Sequence, residues 1–120
     1  MRSQHYRGLF PKERQVLFVY RGYVHKWLKT LENDIMHFGD IDLAGIEIYL
    51  NEIVPCIKHD RHTFFIPNNV NELLKKGDKK LYEKQIKLSR YQNLSTQDNK
   101  LLSLIESIYH YKSGLEQQGL

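Results

Sequence analysis

Only one cysteine, three prolines and one tryptophan stand in the 120 residues of this chain, and no apolar run approaches the length of a bilayer span. The single thiol, Cys56, excludes an internal disulfide and any multi-cysteine zinc site, so it reads as a buried or half-buried small residue. The absent apolar run leaves no candidate for the ~20 residues that a membrane-crossing helix requires. The amino terminus lacks the succession of charged, apolar and small residues that marks a signal peptide, so the cytoplasm is the expected compartment. Internal repeats and low-complexity tracts are also missing. What is present, 41% hydrophobic and 27% charged residues, supplies enough apolar mass for one compact domain with a core. A formal charge of +4 permits a polyanionic partner without demanding one.

Residues 1–14 carry Arg2, His5, Arg7, Lys12 and Arg14 around Gly8 and Pro11, and read as a basic, irregular lead-in to a domain over residues 15–120. Gln15 to Tyr20 is β-branched and aromatic without polar alternation, the pattern of a strand buried on both faces. Val24, Trp27, Leu28 and Leu31 recur at helical spacing, and Ile35 to Gly39 is a second strand. Leu43, Ile46, Leu50 and Ile53 predict a helix from Leu43 to Val54, blocked by Pro55. A third short strand follows at Thr63 to Ile66, then a helix over Asn69 to Lys75 stopped by Gly77. Lys79 to Ser89 is a charged amphipathic segment, and Ser95 opens a cap-like Ser-Thr-Gln-Asp before a helix carrying Leu101, Leu104, Ile105 and Ile108. Strands alternating with helices predict an α/β fold with a mainly parallel sheet flanked by helices, its active groups at the carboxyl ends of strands.

The chemistry concentrates at one such end, in Phe38-Gly39-Asp40-Ile41-Asp42-Leu43-Ala44-Gly45. Asp40 and Asp42 face the same way if the chain stays extended through Ile41. Two carboxylates placed so suit Mg²⁺, which takes one or two protein oxygens and completes its shell with water and phosphate. The plainer role for Asp42 is to cap the helix that starts beside it.

The same residues resemble the Gly-Asp-x-Asp-x-x-Gly signature of the Toprim domain, in the form found in the A subunit of type IIB topoisomerases and in the Wadjet nuclease subunit JetD. The tail Gly114-Leu115-Glu116-Gln117-Gln118 resembles the ending of the JetD-like C-terminal domain. The resemblance implies a Toprim-like, Rossmann-like fold, binding of Mg²⁺ or Mn²⁺, a part in DNA backbone cleavage, and other domains or subunits of a larger complex as partners. It assigns Asp40 and Asp42 to catalysis and metal binding; Glu116 joins them as a further ligand on position alone, if the last helix folds back. One family feature is missing. Toprim domains carry a Glu at the end of the first strand, where this chain reads Val19-Tyr20-Arg21-Gly22. Glu13, Glu47 and Glu116 are the acids that stand as substitutes.

Arg21 is suited to clamp a phosphate or to pair with the two aspartates. Lys79, Lys80 and Lys84 head a basic stretch with Lys75, Lys76, Lys87 and Arg90 that suits a DNA backbone, or else forms a solvated helix face offset by Glu72, Asp78 and Glu83. His37, with no second His at ligand spacing, reads as a packed or surface imidazole; His59 and His62 have a spacing that serves a metal only in a helix, for which Pro55 and the next strand leave little room, and Tyr20 reads as a sheet or crevice residue. Two expectations follow: a metal-dependent, DNA-cleaving Toprim-like domain, or a degenerate Toprim-derived module that binds DNA or protein without chemistry.

Overall fold

The computed structural model describes residues 16–20 as backbone alone, and residues 34–57 and 60–116 in full. Three strands, β1 (Val16–Tyr20), β2 (Asp34–Phe38) and β3 (His62–Phe64), pair in the order β1-β2-β3, and both pairings are parallel. Tyr20 stands opposite Phe38, so β1 and β2 end side by side. All five residues of β2 are buried, which is why Asp-Ile-Met-His-Phe shows no polar alternation. The one carboxylate in that strand, Asp34, accepts from Arg61 Nε at 2.8 Å, so its charge is paired at the amino end of the sheet, away from the motif. The α/β class is therefore as expected; the predicted helix around Val24 to Leu31 lies outside the described residues.

The expected helix from Leu43 to Val54 is three elements in succession. Helix α1 (Leu43–Ile48) widens into a π-helical turn at Tyr49–Ile53 and tightens into a 3₁₀ turn at Val54–Cys56. The Val54 amide reaches back five residues to the Tyr49 carbonyl, and Pro55 next to it has no amide with which to restore the α pattern. Apolar spacing still served its purpose, because Leu43, Ile46, Tyr49 and Ile53 all reach the core.

Helices α2 (Val70–Lys75), α3 (Lys79–Ile86) and α4 (Asn99–Tyr111) complete the fold, with α1 against α3 and α2 against α4. Leu101, Leu104, Ile105 and Ile108 form the buried stripe of α4. Its cap is Asp98 rather than Ser95: Asp98 Oδ1 accepts from the amides of Lys100 (3.0 Å) and Leu101 (3.2 Å), and a carboxylate at a helix start gains from the dipole as a hydroxyl does not. The segment that enters α4 is tied down by the Tyr109 hydroxyl, which donates to the Tyr91 carbonyl and accepts from the Leu94 amide. Lys112 closes α4 in the left-handed conformation, φ 52°. The chain then folds back as an extended tail in which Gly114 pairs with Asp78 and Leu115 with Ile41, both antiparallel.

Candidate metal corner and basic face

Two glycines have steric reasons to be where they are. A Cβ on Gly45 would overlap the Asp40 carbonyl oxygen, and one on Gly39 would meet His37 Nε2 at 2.7 Å. Between them the chain turns from β2 into α1, clamped by two hydrogen bonds between Ile41 and Leu115, of 2.8 and 2.9 Å. Asp42 is extended (φ −148°, ψ 173°) and buried, and its Oδ1 accepts from the Gly45 amide at 2.7 Å, so the capping role is real. Its carbonyl accepts from the Ile46 amide. The amides of Leu43 and Ala44 point to Gln85 Oε1 of α3, at 3.1 and 3.4 Å. All four amides of the first turn, where a phosphate would otherwise find donors, therefore have protein partners.

Asp40 is half-buried at the carboxyl end of β2 and Glu116 is exposed. Continuing the Ile41–Leu115 register by one residue sets Asp40 opposite Glu116, while Gly114 lies against Asp42. The tail thus returns to the motif as the Glu116 expectation requires. Among the described residues, however, no three His, Cys, Asp or Glu side chains gather closely enough to hold a metal among them. Glu47 is turned away to Arg90, whose Nε lies 3.8 Å from its Oε2 and whose guanidinium sits 4.9 Å from the centre of the Tyr91 ring. Arg21 and Glu13 lie outside the described residues.

On the basic side, Lys79 is occupied structurally: its ammonium donates to the carbonyls of Tyr111 (3.0 Å) and Leu74 (3.5 Å), joining the ends of α4 and α2. Lys80 and Lys84 stand exposed on α3. His37 is buried and stacked on Tyr49 with ring centres 5.4 Å apart, and Cys56 is half-buried with its thiol on the Glu52 carbonyl. Both are packing residues, as expected.

A family profile matches the sequence over residues 1–120, its whole length. The chain belongs to DUF7281, a domain of unknown function. No curated protein and no solved structure matches it. No helix among the described residues of this DUF7281 domain is long and apolar enough to cross a membrane.

The donor set of the DUF7281 corner sets a limit on any cation held there. A two-metal clamp needs more anionic oxygens than the described residues gather at the corner, whereas one hydrated Mg²⁺ bound through Asp40 and Asp42 with a phosphate oxygen does not. An ionised carboxylate accepts at about four lone-pair sites, so the Gly45 cap does not by itself exhaust Asp42.

Two long-range contacts were invisible in the sequence. Gln85 reaches the motif across 42 residues, and no local pattern marks it. The Tyr49 hydroxyl is 2.8 Å from His62 Nδ1, linking the π turn to β3. Burial first, and the Asp98 carboxylate second, push the Tyr49 hydroxyl well above its ordinary pKa, so it stays neutral.

Proposed function

We propose that this chain is a Toprim-like domain of a DNA-cleaving protein, in which Asp40 and Asp42 hold one Mg²⁺ or Mn²⁺ against a DNA phosphate. The observation that carries the reading is the position of Asp40: half-exposed at the carboxyl end of the central parallel strand, with Glu116 set opposite by the returning tail. In a parallel α/β sheet that end is where ligands bind. The ion would supply charge neutralisation at the phosphate, its shell completed by water and phosphate oxygen. Calorimetric titration of Mn²⁺ into the full chain tests this: one saturable site is expected, weakened at least tenfold in Asp40→Asn, and equal binding by both proteins overturns it.

A second reading has its own observation. Asp42 is committed to the cap of α1, no third acid joins the corner among the described residues, and Val19 to Gly22 contains no carboxylate. On this reading the domain keeps the Toprim-like shape as a binding module and has lost turnover. Plasmid nicking decides between them. Activity that falls in Asp40→Asn marks an enzyme, and equal traces in both proteins mark the degenerate module.

A further inference from the structure

We propose that Lys80, Lys84 and Lys87 form a rail on α3 that carries a duplex DNA backbone past the Asp40–Asp42 corner; this rests on the reading of the domain as a DNA-handling one, but not on the metal. The sidedness of α3 comes from its contacts. Tyr82 is buried and Ile86 packs against the core, while Gln85 caps α1 and Leu81 lies against Gly114 beside Asp42. At ~100° per residue, Lys80, Lys84 and Lys87 fall in one row nearly a third of a turn from the line through Leu81 and Gln85. The row therefore lies on the solvent side of α3, next to the side that faces the motif. All three lysines are exposed.

Their spacing suits the partner. From Lys80 to Lys87 the helix rises ~10.5 Å, about three steps of the 3.4 Å by which phosphates on one strand advance along the duplex axis. None of the three ammonium groups has a carboxylate within 4 Å among the described residues. Glu83, three residues after Lys80 and four before Lys87, makes no ion pair with either, so it weakens the row without consuming it. Lys79 is excluded from the row by its carbonyl contacts. A membrane surface fits the helix poorly, because the apolar face such a helix would bury in lipid is already in the core and Leu88 is the one large apolar side chain exposed among the described residues.

Fluorescence anisotropy of a labelled duplex with the full chain, in EDTA, tests the rail. Three phosphate contacts give a salt slope of about −2.7, so wild-type affinity falls ~40-fold or more between 50 and 200 mM salt. Replacing all three lysines (K80Q, K84Q, K87Q) should flatten the slope by up to ~2.7, whereas the charge-matched set K75Q, K76Q, K100Q leaves it nearly unchanged. E83Q should bind more tightly than wild type. Thermal melting confirms folding, since Gln and Lys have similar helix propensity. Equal losses in the two triple variants, no duplex binding at 50 mM salt, or tighter binding to anionic vesicles than to duplex would overturn the rail. Because EDTA removes the ion, failure of the metal reading is seen separately, in the Mn²⁺ titration.

Discussion

Asp42 is asked to do two jobs, and they separate by substitution. Asp42→Ala removes the acceptor from the Gly45 amide, which is buried. A lost N-cap costs ~0.5–2 kcal/mol, and a buried donor left without a partner costs ~1–3 kcal/mol, so a loss of ~2 kcal/mol is expected. With a urea m-value of ~1–3 kcal/mol/M, the midpoint falls by about 1 M. Asp42→Ser keeps an oxygen at the cap and should unfold within ~0.5 kcal/mol of wild type in EDTA. Adding Mn²⁺ at ten times its dissociation constant stabilises a binding-competent chain by ~1.4 kcal/mol, a gain expected in wild type and missing from Asp42→Ser. Urea unfolding of the three proteins with and without Mn²⁺ reads both effects. An Ala variant as stable as wild type would refute the cap. A Ser variant that retains the full Mn²⁺ gain would refute the ligand role.

Three further outcomes are expected. Gly45→Ala should destabilise by ~1–3 kcal/mol in thermal melting, because overlap with the Asp40 carbonyl outweighs the ~1 kcal/mol that Ala gains over Gly in a helix; a raised Tm would contradict this. Gln85→Leu strands two amides of α1 and should cost ~1–3 kcal/mol, and urea unfolding at wild-type stability would show that water replaces the side chain. Tyr49→Phe should cost ~1 kcal/mol through the lost bond to His62, and should also change the alkaline limb of stability. An unfolded tyrosine ionises near pH ~10 while folded Tyr49 keeps its proton, so above that pH the folded state binds more protons and stability falls as pH rises. Phe at this position should flatten that fall between pH 10 and 11, and an unchanged slope would show that Tyr49 does not contribute to it.

Strand β2 was legible because burial on both faces erases alternation, and it is buried throughout. Helix α1 was legible at its start, where Asp42 stands before an apolar period, but not in its course: the same apolar spacing serves the α and π turns, so Pro55 marks the stop without showing that the turn before it widens. Ser95 and Asp98 both fit a cap, and the choice is made by the Leu94–Tyr109 contact that fixes the segment entering α4. The Asp40-Ile41-Asp42 corner was visible as a motif, and the return of Glu116 to it was anticipated as a contingency. The clamp that achieves the return, one backbone pair between Ile41 and Leu115, has too few residues to leave a strand pattern. Lys79 shows the limit of reading charge from sequence, since the fold turns it to its own carbonyls and leaves its neighbour Lys80 in solvent.

Anomalous scattering from a crystal of the full chain soaked in millimolar Mn²⁺ bears most directly on the proposed corner. One peak is expected beside Asp40, with oxygens of Asp40 and Asp42 at ~2.1 Å, the distance a hard octahedral ion demands. No peak at that corner, or a peak that Asp42 does not touch, would contradict the account.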